Sequence, residues 1–332
     1  MQIQIQIQIK FILVCVTLFL SGVVNSQTLP GPIVDTAWLA ANFDKVQIVD
    51  VRLNIKSFTS LPVFETDNKT GKKFLIEGGA HIPGARLIDM KSMRTDRTID
   101  GLKVKYMIPE KADFEKIIRA AGIDGDKPIV LMSMGSEISE INDVLRVYWQ
   151  FKVYGEDSLA VLDGGMAAWL QASRDYSTDA VTVKAGNWTV VADRSDQYLA
   201  GSSEVASAVE NRLTNLIDAR DNKHFHGLVK RDYVTSYGHI AGARLYPVDL
   251  MFRSEGRALK FLPVSAYKAL SVQQGINTAI PSISYCNSGH LSAGTWFLTS
   301  ELLGNKSSKL YDGSLHQWTL EGRSLVGAVP LN

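Results

Sequence analysis

The chain repeats itself once, and this internal duplication constrains its fold more than any other feature. Three landmarks occur twice in the same order: Asp-x-Arg after an apolar run, His-Ile-x-Gly-Ala-Arg, and Asp-Gly-Gly/Ser leading to a tryptophan. They begin at Asp50, His81 and Asp163 in the first copy and at Asp218, His239 and Asp312 in the second. The spacing between equivalent landmarks shrinks along the chain, so we expect longer loops in the first copy. A repeat of this length predicts two tandem domains rather than a solenoid.

Each copy alternates short apolar runs with stretches of helical pattern. In the second copy the predicted strands are residues 215–218, 283–285 and 308–311, and the predicted helices are residues 263–274, 290–303 and 313–319. This alternation predicts an α/β fold in which each domain is a mainly parallel sheet flanked by helices. Sites in such sheets lie at the carboxyl ends of the strands.

Composition changes between the copies predict the domain boundaries. We expect a first domain over residues 28–175, a linker over residues 176–200 and a second domain over residues 201–328. The linker mixes polar residues with short apolar runs. We therefore expect it to pack in extended form across the domains rather than to act as a flexible tether.

The N-terminus has the pattern of an export signal. Lys10 precedes an apolar run over residues 11–20, and small side chains at residues 24 and 26 fit a cleavage site. The run is shorter than the ~20 residues that cross a bilayer. We therefore predict a signal peptide over residues 1–26, which would carry Cys15 away, an exported protein that is periplasmic or secreted, and no stable membrane insertion after cleavage.

Charge and motif content narrow the classes of partner. The 332 residues carry a formal net charge of +1, so we expect no nucleic-acid partner. No group of His, Cys, Asp and Glu has the spacing of a metal site, and no phosphate-binding or dinucleotide loop is present. We therefore predict neither a metal nor a cofactor.

Cys286 lies directly between a predicted strand and a predicted helix. The first N–H groups and the dipole of a helix favour a thiolate over a thiol. A lone cysteine can equally be a small buried apolar side chain, and this residue alone leaves both interpretations open. A free thiol in an exported protein is unusual, which favours a reactive role.

The duplicated landmarks resemble those of tandem rhodaneses, a family of sulfurtransferases, over residues 35–325. The resemblance implies two rhodanese-like domains, of which only the second carries a catalytic cysteine. Cys286 corresponds to Ser133 of the first copy, whose loop over residues 133–139 we expect to be four residues longer. The active loop after the cysteine would comprise Asn287, Ser288, Gly289, His290, Leu291 and Ser292.

Sulfur transfer requires a thiolate that accepts a sulfane sulfur, holds it as a persulfide and passes it to a second nucleophile. A short glycine-containing loop that opens a helix can offer backbone N–H groups to such an anion. The resemblance implies a small anionic donor, thiosulfate or 3-mercaptopyruvate. It also implies an acceptor that is a thiol, cyanide or a sulfur carrier.

The active loop departs from the family pattern because it contains no Arg or Lys and no Gly-Ser-Gly sequence. The identity of the donor therefore stays open. Arg220 is the first candidate for attracting an anion, although a structural ion pair with Asp218 is the favoured alternative. Arg231, Arg244 and Arg253 are further candidates.

Other recurring residues are predicted to be structural. A catalytic histidine is not needed in a domain that lacks the cysteine, so we interpret His81 and His239 as hydrogen-bonding residues near strand ends. We also predict helix N-caps at Asp163 and Asp312, core anchors at Trp169 and Trp318, and a buried helix face over residues 147–151.

Three other functions could use such a cysteine. A cysteine phosphatase needs an arginine where this chain has Ser292. A Cys–His hydrolase would pair Cys286 with His239, and the recurrence of that histidine argues against it. A sulfur-carrier or redox-sensing rhodanese-like module with little turnover stays open as the alternative.

Overall fold

The computed structural model describes residues 29–71 and 73–328. The predicted signal peptide, residues 1–26, lies outside the described residues. Within the described ranges, no helix is both long enough and apolar enough to cross a bilayer. No cluster of His, Cys, Asp and Glu in the same ranges is arranged to hold a metal ion.

The first copy forms nine strands and four α-helices among the described residues. The strands are β1 (Ile33–Val34), β2 (Gln47–Arg52), β3 (Val63–Thr66), β4 (Lys73–Glu77), β5 (Arg86–Asp89), β6 (Thr95–Ile99), β7 (Leu102–Met107), β8 (Ile129–Met132) and β9 (Leu159–Leu162). The helices are α1 (Thr36–Ala41), α2 (Lys111–Ala120), α3 (Ile138–Val153) and α4 (Gly165–Gln171).

The second copy repeats most of this order. Its strands are β10 (Leu199–Ala200), β11 (Asn215–Asp218), β12 (Arg244–Leu245), β13 (Phe252–Glu255), β14 (Ala258–Phe261), β15 (Ser282–Tyr285) and β16 (Ser308–Tyr311). Its helices are α5 (Ser195–Tyr198), α6 (Ser202–Asn211), α7 (Asn222–Phe225), α8 (Val264–Gln273), α9 (Leu291–Phe297), which continues as a π-helix over Leu298–Leu302, and α10 (Ser314–Leu320).

Each copy builds one five-stranded parallel sheet. The orders are β1-β9-β8-β2-β5 and β10-β16-β15-β11-β12, so the same strand is central in both. All residues of β8 and of β15 are buried, because helices cover both faces of a parallel sheet. The predicted α/β fold, with a parallel sheet flanked by helices in each copy, is confirmed. The second-copy strands also match the predicted ranges closely.

One of three hydrophobic clusters among the described residues is shared by the two copies. Helix α3 packs against α9, and a single cluster of buried side chains runs from Val49 and Tyr148 in the first copy to Trp296 and Phe297 in the second. The predicted buried face over residues 147–151 is confirmed, since every one of these residues is buried. The tryptophans predicted as core anchors, Trp169 and Trp318, are buried as well.

The four additional residues of the first copy lie in a helix, so the prediction of a longer loop is wrong. Five residues separate β8 from α3, and five residues likewise separate β15 from α9. Helix α3 has 16 residues, whereas α9 with its π-helical extension covers residues 291–302. Counting between landmarks gives the size of an insertion but not its position.

The predicted helix N-caps at Asp163 and Asp312 are also wrong. Gly164 and Gly313 occupy the N-cap positions, and neither aspartate caps its own helix. Asp163 Oδ1 instead accepts the backbone N–H of Phe261 at 2.9 Å, from the second copy. Asp312 Oδ2 accepts the backbone N–H of Ile108 at 2.8 Å, from the first copy. The equivalent aspartate of each copy thus holds the hairpin of the other copy: Asp163 holds β13–β14, and Asp312 holds β6–β7.

The linker contains no helix or strand over residues 178–194, yet it packs along the first domain. Trp188 is fully buried, and its backbone N–H bonds the carbonyl of Ile123. Val191 bonds the carbonyl of Tyr154 in the same way. The second sheet begins inside the predicted linker, because Leu199–Ala200 pair with β16.

Candidate active site

Cys286 lies at the carboxyl end of the central strand of the second sheet and directly precedes the turn into α9. It is 2% exposed. Ser292 Oγ, in the first turn of α9, donates to its Sγ at 3.7 Å. Of the described residues, Cys286 is the sole free cysteine. The fold therefore places this thiol where α/β sheets carry their sites.

Ser314 fixes the loop that follows the cysteine. Its buried Oγ accepts the N–H groups of Cys286 at 3.1 Å and Gly289 at 3.0 Å, and it donates to the carbonyl of Tyr311. Ser314 has a φ of 48°, a left-handed conformation that is unfavourable for a residue with a Cβ. The first copy has Gly165, with a φ of 55°, at the same place.

Gly289 is required where the loop passes the other domain. Its φ is +74°, and a Cβ at this position would lie 2.6 Å from the carbonyl oxygen of Asp312. The Gly289 carbonyl accepts a hydrogen bond from Arg146 Nη1 at 3.0 Å. The predicted need for glycine in this loop thus has two causes, backbone conformation and close packing.

Several backbone N–H groups of the loop have no acceptor in the described part of the chain. They belong to Asn287, Ser288, His290, Leu291 and Ser292. Backbone N–H groups in the interior are normally paired, and groups at a helix N-terminus are suited to bind an anion. The loop therefore presents a group of N–H donors next to the thiol that is suited to an anion.

Two N–H groups of the equivalent first-copy loop bind a carboxylate of their own chain segment. Glu140 Oε2 accepts the N–H groups of Ser136 at 2.9 Å and Glu137 at 3.1 Å. Glu140 is the third residue of α3, and the third residue of α9 is Ala293. The second copy therefore has no carboxylate at the equivalent helix position.

Arg220 and Asp218 form a buried ion pair. Arg220 Nη2 lies 2.6 Å from Asp218 Oδ2 and also donates to the carbonyl of Gly238, while Nη1 donates to Asn287 Oδ1 at 3.3 Å. Burial would lower the pKa of Arg220, but the adjacent Asp218 carboxylate outweighs it and raises that pKa. The structure favours the structural alternative, in which this arginine ties a strand end to the active loop.

His239 is a packing residue in this structure. Its Nδ1 lies 2.8 Å from the carbonyl of Phe225, and its ring stacks on that phenylalanine. His81 makes the same two contacts with Phe58. His290 differs, because its Nε2 donates across the domain boundary to Asp143 Oδ1 at 2.8 Å.

Comparison with known proteins identifies the family. The model of the rhodanese-like domain matches residues 35–172 and 202–321. The chain belongs to the rhodanese family. Both copies are matched, as expected from the duplicated landmarks.

Relatives of this rhodanese are named as sulfurtransferases. A protein of Saccharopolyspora erythraea, provisionally named a thiosulfate sulfurtransferase, is 30% identical over 259 residues, which are 76% of this chain and 85% of that protein. Thiosulfate/3-mercaptopyruvate sulfurtransferase 2 of Arabidopsis thaliana is 28% identical over 272 residues, which are 75% of each chain. SseA of Escherichia coli, solved as a 3-mercaptopyruvate sulfotransferase, shares the fold with a TM-score of 0.69 and 23% identity, covering 86% of this chain and 98% of SseA.

The first domain of this rhodanese supplies cations that the active loop lacks. Arg94 Nη2 donates to the carbonyl of Ser288 at 2.8 Å and to its Oγ at 2.9 Å. The Arg94 guanidinium also lies over the ring of Tyr106, 4.6 Å from its centroid. Burial, together with the guanidinium of Arg146, lowers the pKa of Arg94, and the nearby side chain of Cys286 acts in the opposite direction. Arg94 is therefore within electrostatic range of the sulfur.

Sequence analysis did not find Arg94, Arg146 or Asp143. Each lies in the first copy and contacts the second-copy loop from more than 140 residues away in sequence. The available signal was a difference between the copies, since Phe252 occupies the place of Arg94. Of the arginines that sequence analysis did propose, Arg231, Arg244 and Arg253 are exposed and make no contact with the loop among the described residues.

Proposed function

We propose that this rhodanese is a sulfurtransferase that moves a sulfane sulfur through a persulfide on Cys286. The contrast between the two copies carries the proposal. In the first copy Ser133 adjoins a loop in which the Glu140 carboxylate accepts two N–H groups, whereas the second copy has a thiol and no such carboxylate. A nucleophile next to N–H groups that can bind an anion is the arrangement that sulfur transfer from an anion requires.

The reaction would proceed in two displacements. The Cys286 thiolate attacks the outer sulfur of thiosulfate, the S–S bond of the donor breaks, and sulfite leaves with the bonding electron pair. The resulting persulfide anion would be held by the unpaired N–H groups of the loop. A thiol, cyanide or a sulfur carrier then attacks the outer sulfur, and the Cys286 thiolate is regenerated.

Thiosulfate or a closely related donor fits the electrostatics. Arg94 brings a positive charge to Ser288 from the first domain, whereas the charge of Arg146 is already paired with Asp312. The Saccharopolyspora relative supports thiosulfate and the Arabidopsis relative supports either donor. Because Cys286 is 2% exposed, the donor has to be small enough to enter past the covering side chains.

Intact-mass analysis tests the proposal. After incubation with thiosulfate, and separately with 3-mercaptopyruvate, we expect the protein to gain one sulfur atom, and cyanide to remove it. Cys286→Ser should gain none, and Ser133→Ala should behave as wild type because that residue lies in the other domain. A sulfur-free Cys286 after exposure to both donors, in a folded protein, would refute the proposal.

A sulfur-carrier module with little turnover is the second candidate. The near-complete burial of Cys286 and the absence of a cation within the loop itself favour slow exchange. Multiple-turnover assays with thiosulfate and cyanide separate the two candidates. Stoichiometric loading without continued product formation would select the carrier.

A further inference from the structure

The first domain contains a cavity at the place that corresponds to the Cys286 site. Its volume is about 550 Å³, within the range of small-molecule sites. Ser133, at the carboxyl end of the central strand β8, forms part of the wall. The first copy therefore has a serine in place of the thiol and a cavity at the strand end where α/β sheets bind ligands.

Two buried polar groups in the wall have no partner. Ser133 is 3% exposed, and its Oγ makes no hydrogen bond to any residue in the ranges 29–71 and 73–328. Asp143 is 6% exposed and uses Oδ1 to hold His290, while its Oδ2 is without a hydrogen-bond partner in the same ranges. Both residues line the cavity, so these two oxygens are available to a ligand there.

The charge of the wall favours a cation. Three carboxylates line the cavity, from Glu137, Glu140 and Asp143. The wall also contains two basic residues, Arg52 and Lys91. Arg52 is already paired with the buried Asp50, so Lys91 is the one basic side chain in the wall that can balance the carboxylates. The Glu140 carboxylate already accepts the N–H groups of Ser136 and Glu137, which directly precede α3. Burial also raises the pKa of Glu140, and a nearby cation would lower the cost of its negative charge.

We propose that this cavity binds a small primary ammonium compound, with Asp143 Oδ2 as counter-ion and Ser133 Oγ as hydrogen-bond acceptor. The site is separate from Cys286 but shares a residue with the active loop, because Asp143 also holds His290. The degenerate domain then has a binding role of its own, next to the loop that carries the thiol.

Saturation-transfer difference NMR on the full chain tests this site with three probes of similar size: ethanolamine, ethylene glycol and acetate. We expect saturation of ethanolamine and not of the neutral or anionic probe. Asp143→Asn should abolish the ethanolamine signal, and Ser133→Ala should reduce it several-fold. Asn keeps an oxygen that can accept from His290, so the variant retains that contact. Glu65→Gln, an exposed acid in β3, is the matched control and should leave the signal unchanged.

Two results would overturn the site. One is no ethanolamine signal with the folded wild-type protein. The other is a signal of equal strength in wild type, Asp143→Asn and Ser133→Ala, because binding would then lie elsewhere. Sulfur loading at Cys286 is measured separately, so failure here leaves the proposed reaction untouched, and failure of the reaction leaves this site testable.

Discussion

Ser314 has a strained backbone conformation, and its side chain fixes the active loop. A side chain at φ 48° costs roughly 1–2 kcal/mol, and the first copy avoids this strain with Gly165. In return, Ser314 Oγ holds the N–H groups of Cys286 and Gly289. The remaining N–H groups of the loop are then left for an anion.

Two substitutions at this position separate strain from positioning. Ser314→Ala loses the hydrogen bonds and keeps the strain, so we expect a loss of about 2–3 kcal/mol in the free energy of unfolding. Ser314→Gly loses the same bonds but relieves the strain, so it should be about 1 kcal/mol more stable than the alanine variant. Both should load sulfur at least tenfold more slowly than wild type. Urea unfolding and the rate of mass gain measure the two effects, and wild-type loading in the glycine variant would contradict the positioning role.

A partly buried histidine, His239, and a buried one, His316, make stability depend on pH. Burial lowers the pKa of His239 and of His316 below the ordinary value. The folded protein therefore binds fewer protons than the unfolded chain when the pH falls below about 6.5. Their contribution is fully present above that pH and is lost as the pH falls, so we expect the urea midpoint to decrease from about pH 7.5 to 5.5.

Substitution isolates this effect. The double variant His239→Asn, His316→Asn should show a flatter dependence of the urea midpoint on pH, and His226→Asn, at an exposed position, is the control. The measurement stays above about pH 5.5, because buried carboxyls with a raised pKa, such as Asp50 and Asp163, act oppositely at lower pH. Equal pH slopes in wild type and the double variant would rule out the histidines as the cause.

At the scale of elements, the hairpin β6–β7 brings the first domain to the thiol. Arg94 lies at its start and Tyr106 near its end, where the backbone takes a left-handed conformation with φ 66°. Tyr106 packs edge-on against Tyr233 of the second copy, whose hydroxyl lies 3.4 Å from Ser288 Oγ. Strained residues of this kind concentrate at functional sites, so we propose that this hairpin takes part in donor recognition.

Arg94→Met tests donor recognition. We expect KM for thiosulfate to rise about tenfold, equivalent to about 1.4 kcal/mol of lost anion binding, with a smaller change in kcat. Lys103→Met, on the same hairpin but in an exposed ion pair with Asp96, is the matched control and should leave KM unchanged. An unchanged KM in the folded Arg94 variant would remove this residue from the donor site.

Local patterns predicted the elements well but not their partners. The strands and helices of the second copy follow from apolar runs and helical periodicity, and the position of Cys286 follows from their order. An aspartate before a helix has the same sequence pattern whether it caps that helix or reaches the other copy, which is why Asp163 and Asp312 were misassigned. Arg94 contacts Ser288, which lies 194 residues later in the sequence, and Asp143 contacts His290, which lies 147 residues later. No pattern within one copy shows such contacts.

On the scale of the whole molecule, the continuous core predicts one cooperative unit. Helix α3 carries buried groups to both domains, among them Arg146, whose guanidinium pairs with Asp312 at 2.5 Å. Two domains that share a core should not unfold separately. We therefore expect one urea transition, with tryptophan fluorescence and far-UV circular dichroism coinciding. Separate midpoints for the two signals would show that the domains unfold independently.

Asp163 and Asp312 make equivalent contacts in opposite directions between the two copies. This symmetry bears on how the duplicated chain evolved. Each copy offers the same carboxylate and receives the same hairpin, so the contact between the copies is isologous, as in a two-fold symmetric homodimer. Fusion of such a dimer into one polypeptide would leave this pattern. It would also free one half to lose its nucleophile, since the joined halves can no longer separate. The asymmetry around Cys286 would then be younger than the interface that supports it.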